Sequence, residues 1–435
     1  MSEIPAQDRM LIKRIRYRVL PLAGLLYLMA VLDRANIGFA KLQMARQLHM
    51  SEVVFGLGAS LFFIGYVIFE VPSTMAMTRV GGRVWLARIL ITWAAVTVGL
   101  AFVQAPIGFY ALRFLLGAAE AGAYPGIIYY LTLWFPQRYR VWAISVISLG
   151  SPLGNMVGSV IGGFMLDQNG VLGFQGWQWI FIATGGTSLL VGIAVLIWLP
   201  DKPGTASFLS EDDRSRLRKL LEAPTGSGIE DRLSLRKILN LRTLLFAAMY
   251  ALILTSLFGV TYWLPTVIRE FGVTGTQNGL LTSIPWLMST MALIILPRYL
   301  SNERRVLNMM IALSMLGIVC FLTSIGAQGK ALQFAALTVG TPCLSLLVPC
   351  FWWLPSRVFG GQVSAAPIFA TITCFGSLGG FAAQNGMPAI AAAAGAPSAA
   401  MIVPAVCLVL LTMALAALRR TGAPSQPWPE LGSAS

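Results

Sequence analysis

Twelve apolar stretches, each about as long as a bilayer is thick, constrain this chain more than any other feature. They lie near residues 18–38, 54–77, 84–103, 107–132, 141–165, 177–199, 243–268, 277–299, 305–327, 331–357, 362–385 and 397–418. A helix needs about 20 apolar residues to cross the hydrocarbon core. Lipid offers no hydrogen-bond partner to the backbone, so stretches of this kind must close their amides internally, as helices. The expected fold is an all-α membrane protein of 12 transmembrane helices, read as six spans, a polar linker and six more. On this reading a six-helix N-terminal bundle covers 1–199, a cytoplasmic linker 200–242, a six-helix C-terminal bundle 243–418 and a cytoplasmic tail 419–435.

Composition supports this division. Only 11% of the 435 residues are charged, against about 25% in a soluble domain. A net charge of +14 would suit nucleic acid, but the basic residues are spread through short loops between apolar stretches. The expected partner is the lipid bilayer, and nucleic acid is not expected. Of the 31 Lys and Arg, all but six fall in or beside segments that are cytoplasmic if both termini are cytoplasmic. The six are Lys41, Arg46, Arg269 and Lys330 on the opposite side, and Arg34 and Arg113 within spans. Positive charge on the cytoplasmic side sets that orientation. Arg9, Lys13, Arg14, Arg16 and Arg18 precede a first apolar run with no A-x-A-like cleavage site, so that run is expected to be a retained span. The five cysteines all lie in apolar segments without metal-ligand spacing and read as small buried hydrophobes. His49 is the one histidine and reads as a loop residue; no metal site is expected.

Against this apolar background, ionisable residues inside spans stand out. Asp33 and Arg34 sit side by side in span one, and Arg113 and Glu120 lie in span four. A charge at the bilayer centre costs about 2.5–3.5 kcal/mol on insertion scales, so such residues mark sites or mutual pairs. Arg113 and Glu120 are seven apart, two helical turns, and share a face. So do Tyr66 and Glu70 in span two, four apart. Two guanidiniums suit a carboxylate ligand, which they bind through paired hydrogen bonds. Neighbouring carboxyl groups can exchange protons. The four would then form a proton-coupled anion site; alternatively they pair with one another to hold spans one and four together. Glu70 is the weakest candidate, because it precedes Pro72 near the cytoplasmic end. The second six spans carry no acid or base away from their ends, only hydroxyls and amides such as Thr255, Ser256, Ser283, Ser289, Ser345, Ser364, Thr371, Gln384 and Asn385, and aromatic surface such as Tyr262 and Trp263.

Three local features carry expectations of their own. Ser210 is a good helix N-cap, and Glu211–Leu221 reads as a short surface helix whose charges are solvated. Trp134-Phe135, Trp177 with Trp179, and Trp352-Trp353 mark span ends and read as interfacial belts. Gly154, Gly158 and Gly162 form a row in span five that admits another helix closely.

The motifs LDRANIGFA in span one, GLGASLFFIGYVIFEVPS in span two, RFLLGAAEAGAYPGIIYYLTLWFP in span four, GWQWIF before span six and WLPDKPGTASFLSEDDR after it, with YWLPTVI, GLLTSIPWL and FGSLGGF in the second half, carry a family likeness. The chain resembles the major facilitator superfamily and, within it, the anion:cation symporters such as tartrate, phthalate, hydroxyphenylacetate and sugar-acid permeases. The resemblance implies two six-helix bundles related by an axis along the membrane normal, with a central site open alternately to each side. It also implies that Arg34 and Arg113 contact the substrate carboxylate, that Asp33 and Glu120 serve proton coupling, and that Tyr66 lines the cavity. There are departures: Thr78 in MTRVGGR stands where relatives carry Asp, LPRYLSNERR lacks the usual His and Asp, and Ser377 replaces Asn in FGSLGGF; GNMVGSVIGG in span five is close to an antiporter-type glycine motif, with Ser159 where that motif has Pro, which counts against simple symport. The leading expectation is a proton-coupled symporter, a monomer in the bacterial inner membrane, taking up a small organic acid with a proton as coupling ion and no other cofactor. The alternative is an exporter or antiporter of a drug or metabolite. No nucleophile or metal constellation for an enzyme is visible, and the linker is too short for the signalling domain of a sensor.

Overall fold

The computed structural model describes residues 6–221, 240–295, 303–359 and 365–421. The elements are α1 (Ala6–Gln47), α2 (Glu52–Val80), α3 (Gly82–Leu100), α4 (Pro106–Glu120), α5 (Ala123–Trp134), α6 (Gln137–Ser148), α7 (Gly150–Leu166), α8 (Gly176–Trp198), α9 (Glu211–Leu221), α10 (Leu241–Arg269), α11 (Gly275–Ile295), α12 (Glu303–Gly326), α13 (Lys330–Phe359), α14 (Ala365–Ala394) and α15 (Ile402–Thr421). Among the described residues, ten helical stretches are long and apolar enough to cross a membrane. The other two expected spans are also helical: the fourth is divided into α4 and α5, and the eleventh, α14, carries Thr371, Thr373, Ser377, Gln384 and Asn385 along its length. The chain is therefore an all-α membrane protein. The run LPRYLSNERR and Ser364 lie wholly or partly outside the described residues, as does the linker from 222 to 239.

Helices outrun the apolar stretches that announce them. α1 begins well before residue 18 and continues past 38. Hydropathy marks where lipid is, whereas backbone hydrogen bonding continues into water wherever propensity allows.

The described chain forms two compact units. One contains the residues up to Leu221 together with Gly272–Ser283; the other contains 240 to Phe271 and the residues from Ile284 onward. The apolar pattern places its division at 199 and 243, but α11 begins in the first unit and ends in the second. Asp167 holds that beginning: its carboxylate accepts from the backbone of Gly275 (2.9 Å) and Thr276 (2.7 Å) and from the Thr276 hydroxyl (2.7 Å). A carboxylate at a helix N-terminus satisfies open amides and meets the positive end of the helix dipole. Gly163, Gly275 and Gly279 bring the two backbones together there; a Cβ on Gly163 would lie 2.5 Å from the Gly279 Cα.

Inside the first unit the glycine row of span five packs on α1. A Cβ at Gly154 would lie 2.9 Å from the Leu28 carbonyl, and one at Gly162 2.9 Å from the Phe39 ring. The linker helix α9 is capped as expected, with the Asp213 amide donating to Ser210 Oγ at 3.1 Å. Its charges are not simply solvated, because Asp213 pairs with Arg14 of α1 at 3.0 Å.

The aromatic belts need correction. Trp134 is fully buried and stacks on Phe208 of the linker, with ring centroids 5.9 Å apart. Trp177 is also buried, donating its indole N–H to Gln47 at 2.6 Å. These rings close the inside of the unit because partners from distant segments reach them, which spacing along the chain does not reveal. Tyr262 and Trp263 are likewise buried, and the Trp263 indole donates to the Pro397 carbonyl at 2.8 Å.

Candidate functional site

Four elements of the first unit assemble the site. The α2 and α4 backbones touch because glycines face each other: a Cβ on Gly117 would lie 2.9 Å from the Tyr66 amide, and one on Gly65 3.0 Å from that of Ala118. This contact sets Phe62, Tyr66 and Glu70, spaced four apart on one face of α2, beside Arg113 and Glu120 of α4. α1 contributes Asp33 and Arg34, about 100° apart around its axis. α3 contributes Thr97.

Arg34 donates through Nη2 to Glu120 Oε1. Glu120 is fully buried, while the Arg34 side chain keeps 21% exposure. The Arg34 guanidinium lies over Tyr66 at 5.3 Å and Phe62 at 5.5 Å from the ring centroids. Arg113 approaches the same Phe62 ring at 5.0 Å and donates from Nη2 to the Ala59 carbonyl at 2.8 Å. The ring thus lies against both guanidiniums, an arrangement favoured by its quadrupole. Glu120 Oε2 and Arg34 Nε are buried without a hydrogen-bond partner among the described residues.

Asp33 turns the other way. It is 4% exposed and accepts from Thr97 Oγ1 at 3.3 Å, yet it remains within electrostatic reach of Arg113 and Glu120. Glu70 is half-buried and feels the charge of Arg34. Asp33, Arg34, Tyr66, Arg113 and Glu120 therefore lie in one charged cluster, with Glu70 at its margin.

The α4–α5 break falls immediately after Glu120. Ala121 leaves the helix, and Gly122 has φ +83, the left-handed region that glycine enters freely. A Cβ there would also lie 2.5 Å from Ser73 Oγ. Interrupted membrane helices are tolerated where the freed backbone is enclosed by protein, and they place functional groups at helix ends.

Two contributors, Phe62 and Thr97, lie outside the set that the sequence marks. Phe62 is the next residue up the Tyr66–Glu70 stripe, and extending the four-residue spacing would have found it. Thr97 carries no such signal; a threonine in an apolar helix usually bonds its own backbone, as Thr92 does to Arg88. In the second unit the expected hydroxyls mostly do the same: Thr255 donates to Ala251, Ser256 to Leu252 and Ser289 to Pro285.

A multi-pass helical protein with an ion-paired cluster at a broken helix has the architecture of a membrane transporter. The family model "Major Facilitator Superfamily" matches residues 23–384. The chain is 38% identical over 371 residues to a protein of Agrobacterium vitis named "Putative tartrate transporter", covering 85% of this chain and 86% of that one. It is 36% identical over 383 residues to a "Quinolone resistance transporter" of Acinetobacter baumannii, covering 87% and 88%. The fold is similar to that of a bacterial homologue of the human lysosomal transporter Spinster, solved inward-facing and unoccupied, with a TM-score of 0.75, 15% identity and coverage of 94% and 97%. The chain belongs to the major facilitator superfamily and is a multi-pass membrane transporter.

Proposed function

We propose that the protein carries a small organic carboxylate together with a proton into the cell across the bacterial inner membrane, by alternating access. The observation that carries this reading is the Arg34–Glu120 pair beside Arg113 and Asp33. With both acids ionised, two positive and two negative charges balance. A carboxylate entering alone would leave a net negative charge where the medium screens poorly, at a cost of several kcal/mol. A proton arriving on Asp33 or Glu120 restores the balance and frees Arg34 and Arg113 to grip the anion. Arg113 is the second guanidinium for the ligand, Tyr66 flanks it, and Glu70 is a peripheral proton acceptor. The relative named for tartrate supports an anionic substrate.

The relative named for quinolone resistance favours a second reading, export of a drug or metabolite. Proteoliposomes separate the two. With an acidic exterior, the wild-type protein is expected to accumulate an acid such as tartrate above its equilibrium level. Glu120→Gln should lose that accumulation while still exchanging internal for external substrate. Drug resistance on overexpression, with no carboxylate from a broad panel accumulated, would overturn the proposal.

A further inference from the structure

We infer that Thr97 is a positioning residue for proton coupling: its hydroxyl holds the Asp33 carboxyl toward α3, apart from Arg34, and sets how readily that carboxyl takes up a proton. The inference rests on the proposed role of Asp33 as a proton acceptor. It stands on geometry. Asp33 and Arg34 are neighbours in α1 and could meet, yet Arg34 reaches Glu120 of α4 while Asp33 reaches Thr97 of α3. Thr97 is fully buried. Its hydroxyl also behaves unlike those of Thr92, Thr184, Thr255 and Thr341, which donate to carbonyls within their own helices. Thr97 instead donates across 64 positions to a carboxylate oxygen.

The charged groups that reach Asp33 are Arg34 beside it and Arg113 and Glu120 from α4; Thr97 is the group from α3. α7 and α8 contain no titratable residue, and from α5 the Tyr124 ring lies on Tyr27, six residues before Asp33. Asn36, one turn further along α1, is fully buried with neither atom of its amide hydrogen-bonded among the described residues, so this side of α1 is polar at successive turns. A hydroxyl that donates to a carboxylate stabilises the ionised form, and that bond weakens when the carboxyl is protonated, because a neutral carbonyl oxygen is a poorer acceptor. It can then turn to a carbonyl of its own helix, as the other threonines do.

The test uses the purified full-length protein and needs no substrate. Infrared spectra collected across pH report protonation of buried carboxyls, and the band that vanishes in Asp33→Asn belongs to Asp33. In Thr97→Val its titration midpoint is expected to move about one unit toward alkaline pH, a tenfold change in proton affinity. Thr97→Ser, which keeps the hydroxyl, should stay at the wild-type midpoint. A purely structural role would lower the melting temperature of Thr97→Val and leave the midpoint in place, which would overturn the inference. If Thr97→Val does not fold, Thr97→Ala serves with the same expectation. An Asp33 band that titrates nowhere in the wild type would instead overturn the role of Asp33 in the proposed function, a result distinct from an unmoved midpoint.

Discussion

The two units are built from the same material, long apolar helices joined closely through glycines, but they use their buried polar groups differently. In the first unit Asp33, Arg34, Arg113 and Glu120 bond between helices, linking α1 to α3 and α4 and α4 to α2. In the second unit most buried hydroxyls bond one turn back within the same helix. A hydroxyl that returns to its own backbone satisfies itself whatever its neighbours do. A charge cannot, since burying it unpaired costs several kcal/mol. The first unit therefore depends on its partners; under the proposed function it is the one that would respond to a proton or an anion, while the second would contribute shape.

The sharpest way to break this comparison is to remove one charge. Arg34→Ala leaves Glu120 buried and unpaired, a loss of roughly 3–5 kcal/mol, so carboxylate uptake should fall at least about 100-fold and the melting temperature should drop. Arg34→Lys keeps the charge but not the paired hydrogen bonds, and should recover stability ahead of uptake. Full accumulation by the alanine variant in vesicles would show that the cluster is a brace rather than a site.

A pair of glycine substitutions tests the units side by side. A Cβ on Gly117 would press on the Tyr66 amide and the Phe62 carbonyl, and one on Gly379 would lie 2.7 Å from both the Ala251 carbonyl and the Thr255 hydroxyl. Each alanine variant should lose about 1–3 kcal/mol to overpacking, read as a lower melting temperature. Gly117→Ala should also weaken carboxylate affinity about tenfold, because it displaces the ring between the two arginines. Gly379→Ala should leave the pH dependence of uptake unchanged.

The smallest effect is expected where a hydroxyl serves only its own helix. Ser289 is buried and donates to the Pro285 carbonyl at 2.9 Å. Ser289→Ala should change uptake less than about threefold and stability by no more than about 1 kcal/mol. A loss as large as that of Arg34→Ala would mean that the second unit also holds part of the ion-handling machinery.

Much of this was legible in the chain. Asp33, Arg34, Arg113 and Glu120 stood out because lipid makes every interior charge conspicuous, and the spacing of Arg113 and Glu120 placed both on one helical face. The glycine row at 154, 158 and 162 announced a close neighbour without naming α1. The contacts that the sequence does not mark share one cause. Trp134 and Trp177 looked like belt residues because their partners, Phe208 and Gln47, lie 74 and 130 positions away in sequence. Thr97 carried no signal for the same reason, since Asp33 lies 64 positions away.

The amino-acid order by itself determined the helical membrane fold, the approximate spans and which ionisable groups would have to meet. Each of these follows from a local rule: the length of an apolar run, the period of a helix, the cost of a charge in hydrocarbon. Only the tertiary structure decided that Arg34 turns to Glu120 while its neighbour Asp33 turns to Thr97, that α4 ends just beyond Glu120, and that Asp167 ties the start of α11 to the first unit. Those choices depend on which backbones glycine allows to touch, and such contacts join residues too far apart in sequence for any local rule to pair them.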